Sequence, residues 1–343
     1  MSLLYKVSHY HGSKKTNNFF EGWYFKAYDE ARGRVIAIVP GIFRSSKATP
    51  EESHAFIFVN EGGVKQHYYR FPCSDFVADK EKFRVVIAGV NEFTQDALTV
   101  DLKPKEGDDA SISLKGSLKF GANTPWPITR ASPGVMGPVA FMPFVECTHG
   151  VLSFDSSVEG TLQVDDVACD YTGGRAYIEK DFGRKFPKAW VWLQTNAFPK
   201  IEGPNQPSLF FSAAFVPYAG MSFPGFICGF LDGKGKLHRF TLYLMSKFYN
   251  FAVDEENKTL EFELRNSSHV LYITASYDIP MVTLYGPEGN KMALSVPEGL
   301  TGKIHVKLRR KKAEAFEFDA EGTCAGMEVQ GDVQKLSKSL CRK

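Results

Sequence analysis

Short strand-like segments separated by turn signals place the strongest constraint on how this chain can fold. The segments are rich in β-branched and aromatic residues, which favour strands, and examples are residues 34–39, 54–59, 98–102, 209–215 and 259–264. Gly-, Asn- and Asp-rich turns separate them, at residues 60–63, 232–235, 266–268 and 286–289. No long segment carries the apolar stripe of an amphipathic helix. We therefore predict an all-β fold of antiparallel sheets, arranged as sandwiches or barrels, with little helix.

A Pro- and Gly-rich stretch near the middle of the chain separates two groups of predicted strands. Residues 125–138 cannot continue a strand ladder, because proline lacks the backbone donor. Each group opens with an aromatic strand, around Trp23 in the first and Trp190 in the second. We predict two antiparallel β-barrel halves packed together, residues 1–124 and 151–343, joined by a crossover over residues 125–150. A barrel of about eight strands can hold one small ligand.

The charge distribution argues against nucleic acid as a partner. The 343 residues carry a formal net charge of +2, and only residues 308–312 form a basic run. Proteins that bind nucleic acid normally present a larger basic patch, whereas weak peripheral contact with anionic lipid headgroups stays open. The 29 phenylalanines fit a β-rich core, and they also fit an apolar cavity for a hydrophobic small molecule. Nothing in the composition determines the oligomeric state.

Motifs for cofactors and metals are missing from the sequence. The six cysteines form no Cys-x-x-Cys pair and no zinc spacing, and there is no dinucleotide fingerprint, phosphate loop or serine elbow. We therefore expect no cofactor and no metal. Because no signal peptide, transit peptide or membrane-spanning run is apparent, we also expect a cytoplasmic protein with free thiols.

The segment 177–196 places charged residues ahead of aromatic residues at strand spacing. Trp190, Trp192, Gln194 and Asn196 alternate with apolar residues and share one face of a strand. Two indoles followed by two carboxamides can line a small-molecule pocket, since such pockets combine an apolar floor with a few directed polar groups.

A second charged and aromatic segment lies near the N-terminus, at residues 19–26. Glu21 and Trp23 fall on one face of the predicted strand, and Tyr24 falls on the other. These two segments, 20–26 (FEGWYFK) and 179–194 (EKDFGRKFPKAWVWLQ), resemble the tocopherol cyclase-like family. Two further stretches fit the same family, residues 133–150 and the hairpin around residues 226–229, so the resemblance extends from about residue 19 to residue 294.

The resemblance implies paired lipocalin-like halves and a cofactor-free reaction. In that reaction a proton adds to the first prenyl double bond of a prenylated benzoquinol, and the ring hydroxyl closes on the cation to give a chromanol. Hydration of an isoprenoid alkene begins with the same protonation. A non-catalytic carrier of an isoprenoid-type molecule needs the same apolar cavity but no acid, and the fold alone does not separate these activities.

Three carboxyl groups are candidate proton donors. Glu179 and Asp181 share a strand face, whereas Lys180 alternates to the other face. The alternative is a structural ion-pair cluster with Arg184 and neighbouring lysines. Glu21 precedes a Gly and a group of aromatic residues, and apolar surroundings would raise its pKa and keep it protonated. The alternative there is a salt bridge to Lys26 or to an Arg across the sheet.

The remaining candidates would bind substrate. Glu146 is ambiguous between a catalytic and an ion-pair role, and His149 is the natural titrating group near neutral pH. Trp23, Trp190 and Trp192 would either occupy cores or stabilise a carbocation with their ring faces. Tyr24 would join them, and in a cyclase Gln194 and Asn196 would orient the quinol hydroxyl.

Overall fold

The structure is a computed structural model, and it describes residues 2–63, 65–104, 111–143, 145–202 and 205–341. Within these residues the fold is built almost entirely from antiparallel strands, with one α-helix. Single turns of 3-10 helix occur at Leu3–Tyr5, Gly12–Lys14, Glu30–Arg32, Pro50–Glu52, Cys73–Asp75, Gly137–Phe141 and Leu242–Leu244. The predicted all-β fold with little helix is confirmed.

Twelve strands form the first sheet. They are β1 (Phe19–Asp29), β2 (Arg34–Arg44), β3 (His54–Asn60), β4 (His67–Phe71), β5 (Phe76–Ala78), β6 (Arg84–Ile87), β7 (Asn91–Thr94), β8 (Ala97–Leu102), β9 (Leu114–Phe120), β10 (Cys147–Val164), β11 (Val167–Asp170) and β12 (Arg175–Gly183). Their order is β4-β3-β2-β1-β12-β10-β9-β8-β7-β6-β5, and β11 pairs with β10.

The first sheet curls around a core. Its two end strands, β4 and β5, are consecutive in the chain and are joined by residues 72–75, so the two edges must come close together. Trp23 and Phe25 of the central strand β1 accordingly stack on Phe83, with ring centroids 5.6 and 6.2 Å away. We call the side of the sheet that carries this core the inner face and the opposite side the outer face.

The second sheet contains the remaining ten strands. They are β13 (Trp190–Thr195), β14 (Ser208–Tyr218), β15 (Met221–Leu231), β16 (Leu237–Thr241), β17 (Lys247–Asp254), β18 (Thr259–Arg265), β19 (His269–Ser276), β20 (Val282–Glu288), β21 (Lys291–Arg310) and β22 (Phe316–Gln330). The order is β16-β15-β14-β13-β22-β21-β19-β18-β17, and β20 pairs with β21.

The α-helix α1 (Val333–Leu340) follows the last strand. Asp332 caps its first turn by accepting the Lys335 N–H at 2.9 Å. Val333, Leu336 and Leu340 share one side of the helix and join the core of the second sheet. None of the described helices has the length and apolar character needed to cross a membrane.

The chain divides into two compact units at a different place from the predicted crossover. Unit 1 contains Met1–Phe186 and Val282–Val296, and unit 2 contains Pro187–Met281 and Pro297–Lys343. The sequence predicted the division at residues 125–150. It falls later because β12 lies between β1 and β10 in the first sheet, so strands beyond the Pro-rich stretch complete that sheet.

Candidate functional site

Strand β12 of unit 1 presents different chemistry on its two faces. Ile178 belongs to the core, so Lys180, two residues further on, also lies on the inner face. Glu179 and Asp181 alternate with it and lie on the outer face. The separation of Lys180 from the two carboxylates, which the sequence predicted, is therefore confirmed.

His149 of β10 joins the two carboxylates on the outer face. It lies opposite Asp181 in the register of the sheet. Its Nδ1 is 2.9 Å from Asp181 Oδ1, and its Nε2 is 3.2 Å from Glu179 Oε2. The Tyr177 hydroxyl donates a hydrogen bond of 2.5 Å to the same Glu179 oxygen. We call Tyr177, Glu179, Asp181 and His149 the acid cluster.

The charges of neighbouring side chains determine which groups of the acid cluster are protonated. Burial by itself would lower the pKa of His149, but the neighbouring carboxylates of Asp181 and Glu179 outweigh it and raise that pKa well above its ordinary value. Burial and the adjacent Glu179 raise the pKa of Tyr177 well above the usual phenol range. The imidazole therefore holds a proton at neutral pH, and the phenol keeps its own.

The acid cluster also has the residue types of a metal site, which the sequence did not indicate. One ligand atom each from His149, Glu179 and Asp181 lies within 4.8 Å of the others. The imidazole, however, directs a different ring nitrogen at each carboxylate. The same side chains are also close enough to share a proton.

Aromatic residues extend from the acid cluster across the outer face. Tyr24 lies opposite Glu179 in the register, on β1, and Phe56 and Phe58 occupy the same face of β3 two strands further on. All three rings are buried. Glu179 itself is 5% exposed, so its carboxyl group lies in a largely dry part of this face.

Glu21 lies on the inner face and does not join the acid cluster. Its carboxylate is 2.5 Å from Lys180 Nζ, and both side chains are fully buried. Both of its oxygens accept the His11 backbone N–H, at 2.9 and 3.0 Å. Glu21 therefore forms a salt bridge, as the structural alternative predicted, but its partner is Lys180 and not Lys26 or an arginine.

The N-terminal segment supplies the remaining partners of Lys180. Its ammonium donates to the carbonyls of Val7, at 3.0 Å, and His9, and it lies 2.9 Å from His11 Nδ1. It also lies 4.8 Å from the centroid of the Trp23 ring. Burial lowers the pKa of Lys180 to about 8, although Glu21 opposes that shift.

Trp23 and Glu146 also lie apart from the acid cluster. Trp23 is fully buried in the core of unit 1, where its indole N–H donates to the Ser8 carbonyl at 2.9 Å. Glu146 pairs with Lys185 at 2.7 Å. It lines a cleft of about 470 Å³ beside residues 14–19.

The predicted residues of strand β13 lie in unit 2. Val191 and Leu193 belong to the core of that unit, and Trp190, Trp192 and Gln194 alternate onto the opposite face. Trp190, Trp192, Gln194 and Asn196 are all buried. Gln194 donates to Asn196 Oδ1 at 3.4 Å, so the predicted face of indoles and carboxamides exists as a buried surface.

Sequence reasoning missed two acidic residues on the same face of unit 2. Glu328 of β22 lies opposite Trp192 and accepts the Trp190 indole N–H at 2.6 Å. Glu298 of β21 lies opposite Glu328 and is fully buried. The available signal was alternation: Glu328 stands between the apolar residues Met327 and Val329, which places it on the face opposite to theirs.

Comparison with known proteins agrees with this architecture. The family model described as tocopherol cyclase-like matches residues 113–331. No curated protein matches the sequence.

Several solved proteins have similar structures, among them the following two. A provisionally named AttH protein from Nitrosomonas europaea is 12% identical, with a TM-score of 0.51 over 91% of this chain and 92% of that chain. The protein CghA, solved with Sch210972, is 11% identical, with a TM-score of 0.55 over 91% of this chain and 88% of that chain. At these identities the likeness shows a shared fold.

Proposed function

Because the chain belongs to the tocopherol cyclase-like family, we propose that it catalyses a proton-initiated cyclisation of a prenylated quinol to a chromanol. The observation that supports this reaction most directly is the acid cluster. It brings two carboxyl groups, of which Glu179 is buried, and a proton-holding imidazole together on one face of the sheet, with Tyr24 beside them. A carrier of the same ligand has no need of such a group.

The reaction divides into three proton and bond changes. The proton held by His149 passes to a carboxylate of the cluster, and the resulting carboxylic acid adds it to the prenyl double bond nearest the ring, which creates a tertiary carbocation. The quinol hydroxyl oxygen bonds to that carbon, and the hydroxyl proton returns to the carboxylate. The net change is an isomerisation, so no oxidant, reductant or water is consumed. General acid catalysis of this kind typically contributes about 10²–10⁴-fold in rate.

The members of the cluster have separate roles in this scheme. His149 exchanges a proton with either carboxylate, because one ring nitrogen faces each of them. Tyr177 donates to Glu179 and keeps that carboxyl group in place. Aromatic faces such as that of Tyr24 stabilise the developing cation through the ring quadrupole.

The test is turnover of a panel of prenyl quinols in D₂O, with mass spectrometry to detect deuterium in the ring-closed product. We expect one deuterium per chromanol from the unaltered protein. Glu179→Gln and Asp181→Asn should each lower turnover by about 10²-fold or more while ligand binding is kept, because an amide of the same size cannot deliver the proton.

Matched controls are available on strand β10 and in the turn that follows it. Glu159→Gln and Asp166→Asn make the same chemical changes at exposed positions and should leave turnover unchanged. If the unaltered protein binds the quinols and forms no product, it is a carrier. If the product contains an added water, the protein is an alkene hydratase. Full activity in both cluster variants would place the proton donor elsewhere.

A further inference from the structure

One residue of the central strand β1 is open to solvent. Of its eleven residues, ten are buried and only Gly22 is partly exposed. Its backbone edges are occupied by β2 on one side and β12 on the other, so solvent reaches Gly22 from a face of the sheet. Val39 of β2 is likewise partly exposed. Its Cγ1 lies 3.7 Å from the position that a Cβ of Gly22 would occupy. Gly22 and Val39 are therefore exposed on the same side of the sheet, which is the outer face.

The open position lies beside the acid cluster. In the register of the sheet, Phe56, Gly41, Gly22, Asp181 and His149 form one row across five strands on the outer face. Gly22 is thus one strand away from Asp181, a spacing of about 5 Å. The two glycines leave the middle of this row without side chains.

The ring of Phe56 closes one side of the gap. A Cβ on Gly41 would lie 2.3 Å from Phe56 Cζ, so the ring lies directly over the Gly41 backbone. A Cβ on Gly22 would lie 3.8 Å from the same atom, which is an ordinary van der Waals contact. The result is a depression whose floor is the Gly22 backbone and whose sides are Phe56, Val39 and Asp181. We call it the Gly22 depression.

Within the acid cluster, the side chain nearest the depression is the most exposed to solvent. The side chain of Asp181, next to the depression, is 32% exposed. That of His149 is 12% exposed, and that of Glu179 is 7% exposed. Asp181 is therefore the carboxyl group that a molecule entering the depression would meet first, and His149 connects it to the drier Glu179.

We propose that the Gly22 depression is the subsite for the reacting end of the ligand, and that Asp181 is the carboxyl group that contacts it. This inference rests on the proposed function and specifies where that chemistry takes place. The ligand end that fits is flat and apolar with one polar edge, such as a hydroquinone ring next to its first prenyl double bond. The ring would lie on the bare Gly22 backbone against Phe56, with its alkene at Asp181.

Proton transfer at this subsite keeps the balance of the overall reaction. His149 passes its proton to Asp181, which gives it to the alkene carbon. The Asp181 carboxylate later accepts the proton from the quinol hydroxyl and returns it to His149. The Glu179 carboxylate, 3.2 Å from His149 Nε2, keeps the imidazole protonated between turnovers. No further reactant is needed.

The test adds side chains to the floor of the depression. Gly22→Ala and Gly22→Val should leave the melting temperature close to that of the unaltered protein, since Gly22 has no positive φ and a Cβ has room there. They should raise the Kd for a prenyl quinol by about tenfold or more, with Val having the larger effect, because a pocket discriminates against even one added methyl by roughly that factor. The control is Gly63→Ala, where a Cβ meets no atom within 4 Å.

Binding and turnover are measured separately, so that the proposed subsite and the proposed cyclisation can each be contradicted without the other. Unchanged Kd in both folded Gly22 variants would overturn the subsite even if Glu179→Gln abolishes turnover. A raised Kd in a protein that never forms product would keep the subsite and overturn the cyclase. If Gly22→Val fails to fold, Gly22→Ala decides the question. Phe56→Leu, which shortens the wall and leaves the floor intact, should also weaken binding; unchanged binding in that variant counts against the subsite.

Discussion

Gly22 of β1 lies directly opposite Asp181 of β12, and this pair brings the two most distinctive segments of the sequence together. The N-terminal motif supplies a bare stretch of backbone, and the later motif supplies the carboxyl group beside it. Two residues further along the same two strands, Tyr24 lies opposite Glu179, so an aromatic ring and a second acid adjoin this pair. The two motifs therefore form adjacent strands of a single sheet face.

His149 should make stability depend on pH in a defined direction. Its folded pKa is raised above the ordinary value of 6.5 because the attraction of Asp181 and Glu179 outweighs the opposing effect of burial. The stability that the protonated ring contributes is therefore fully present below about pH 6.5 and is lost as pH rises through the folded pKa. Relative to His149→Gln, the unaltered protein should have its largest advantage in unfolding free energy near pH 5.5–6.5 and a shrinking one in alkaline solution. Denaturant titrations across this range provide the measurement, and an advantage that grows with pH would contradict the assignment.

The buried Glu21 and Lys180 should behave as a coupled pair. Lys180→Met leaves a fully buried carboxylate without its cation, and breaking such a pair costs about 3–5 kcal/mol. The double variant Glu21→Gln with Lys180→Met removes both charges and keeps an acceptor for the His11 N–H, so it should recover much of that loss. Urea unfolding of the two single variants and the double variant gives the coupling free energy. Losses that simply add would show that the two charges act independently.

Gly41 should not tolerate a side chain, in contrast to Gly22. A Cβ at Gly41 would lie 2.3 Å from Phe56 Cζ and 2.6 Å from the Glu21 carbonyl oxygen. Because the carbonyl belongs to the paired backbone, it cannot move aside cheaply, and we expect Gly41→Ala to lower the unfolding free energy by about 1–3 kcal/mol. Thermal unfolding of Gly41→Ala, with Gly63→Ala as the control, measures this cost. Equal melting temperatures would mean that the Phe56 ring does not lie over Gly41.

The ligand-binding role predicted for strand β13 can be tested in unit 2. Trp192→Leu removes an indole from the face opposite the core, whereas Val191→Ala alters the core side of the same strand. If Trp192 binds the ligand, its replacement should raise the Kd for a prenyl quinol several-fold in a protein that remains folded, and Val191→Ala should mainly reduce stability. Calorimetric titration together with thermal unfolding separates the two effects. Equal ligand affinity in the Trp192 variant and the unaltered protein would remove Trp192 from the binding site.

Local pattern was enough to predict the fold class and the face on which each side chain lies. The strand-like segments and their turns predicted an all-β chain. Alternation separated Glu179 and Asp181 from Lys180, and the indoles of β13 from Val191. These features depend on the period of two along a strand, which is a property of neighbouring residues.

Tertiary structure decided which of these faces meet. Nothing in the sequence relates the register of β10 to that of β12, so the contact of His149 with Glu179 and Asp181 appears only when the two strands pair. Glu21 resembled a catalytic acid in its local sequence, yet pairing with β12 and closure by the N-terminal segment neutralise it with Lys180. The physical reason is that register and long-range strand order are set by the packing of the whole core, whereas alternation is set residue by residue along each strand.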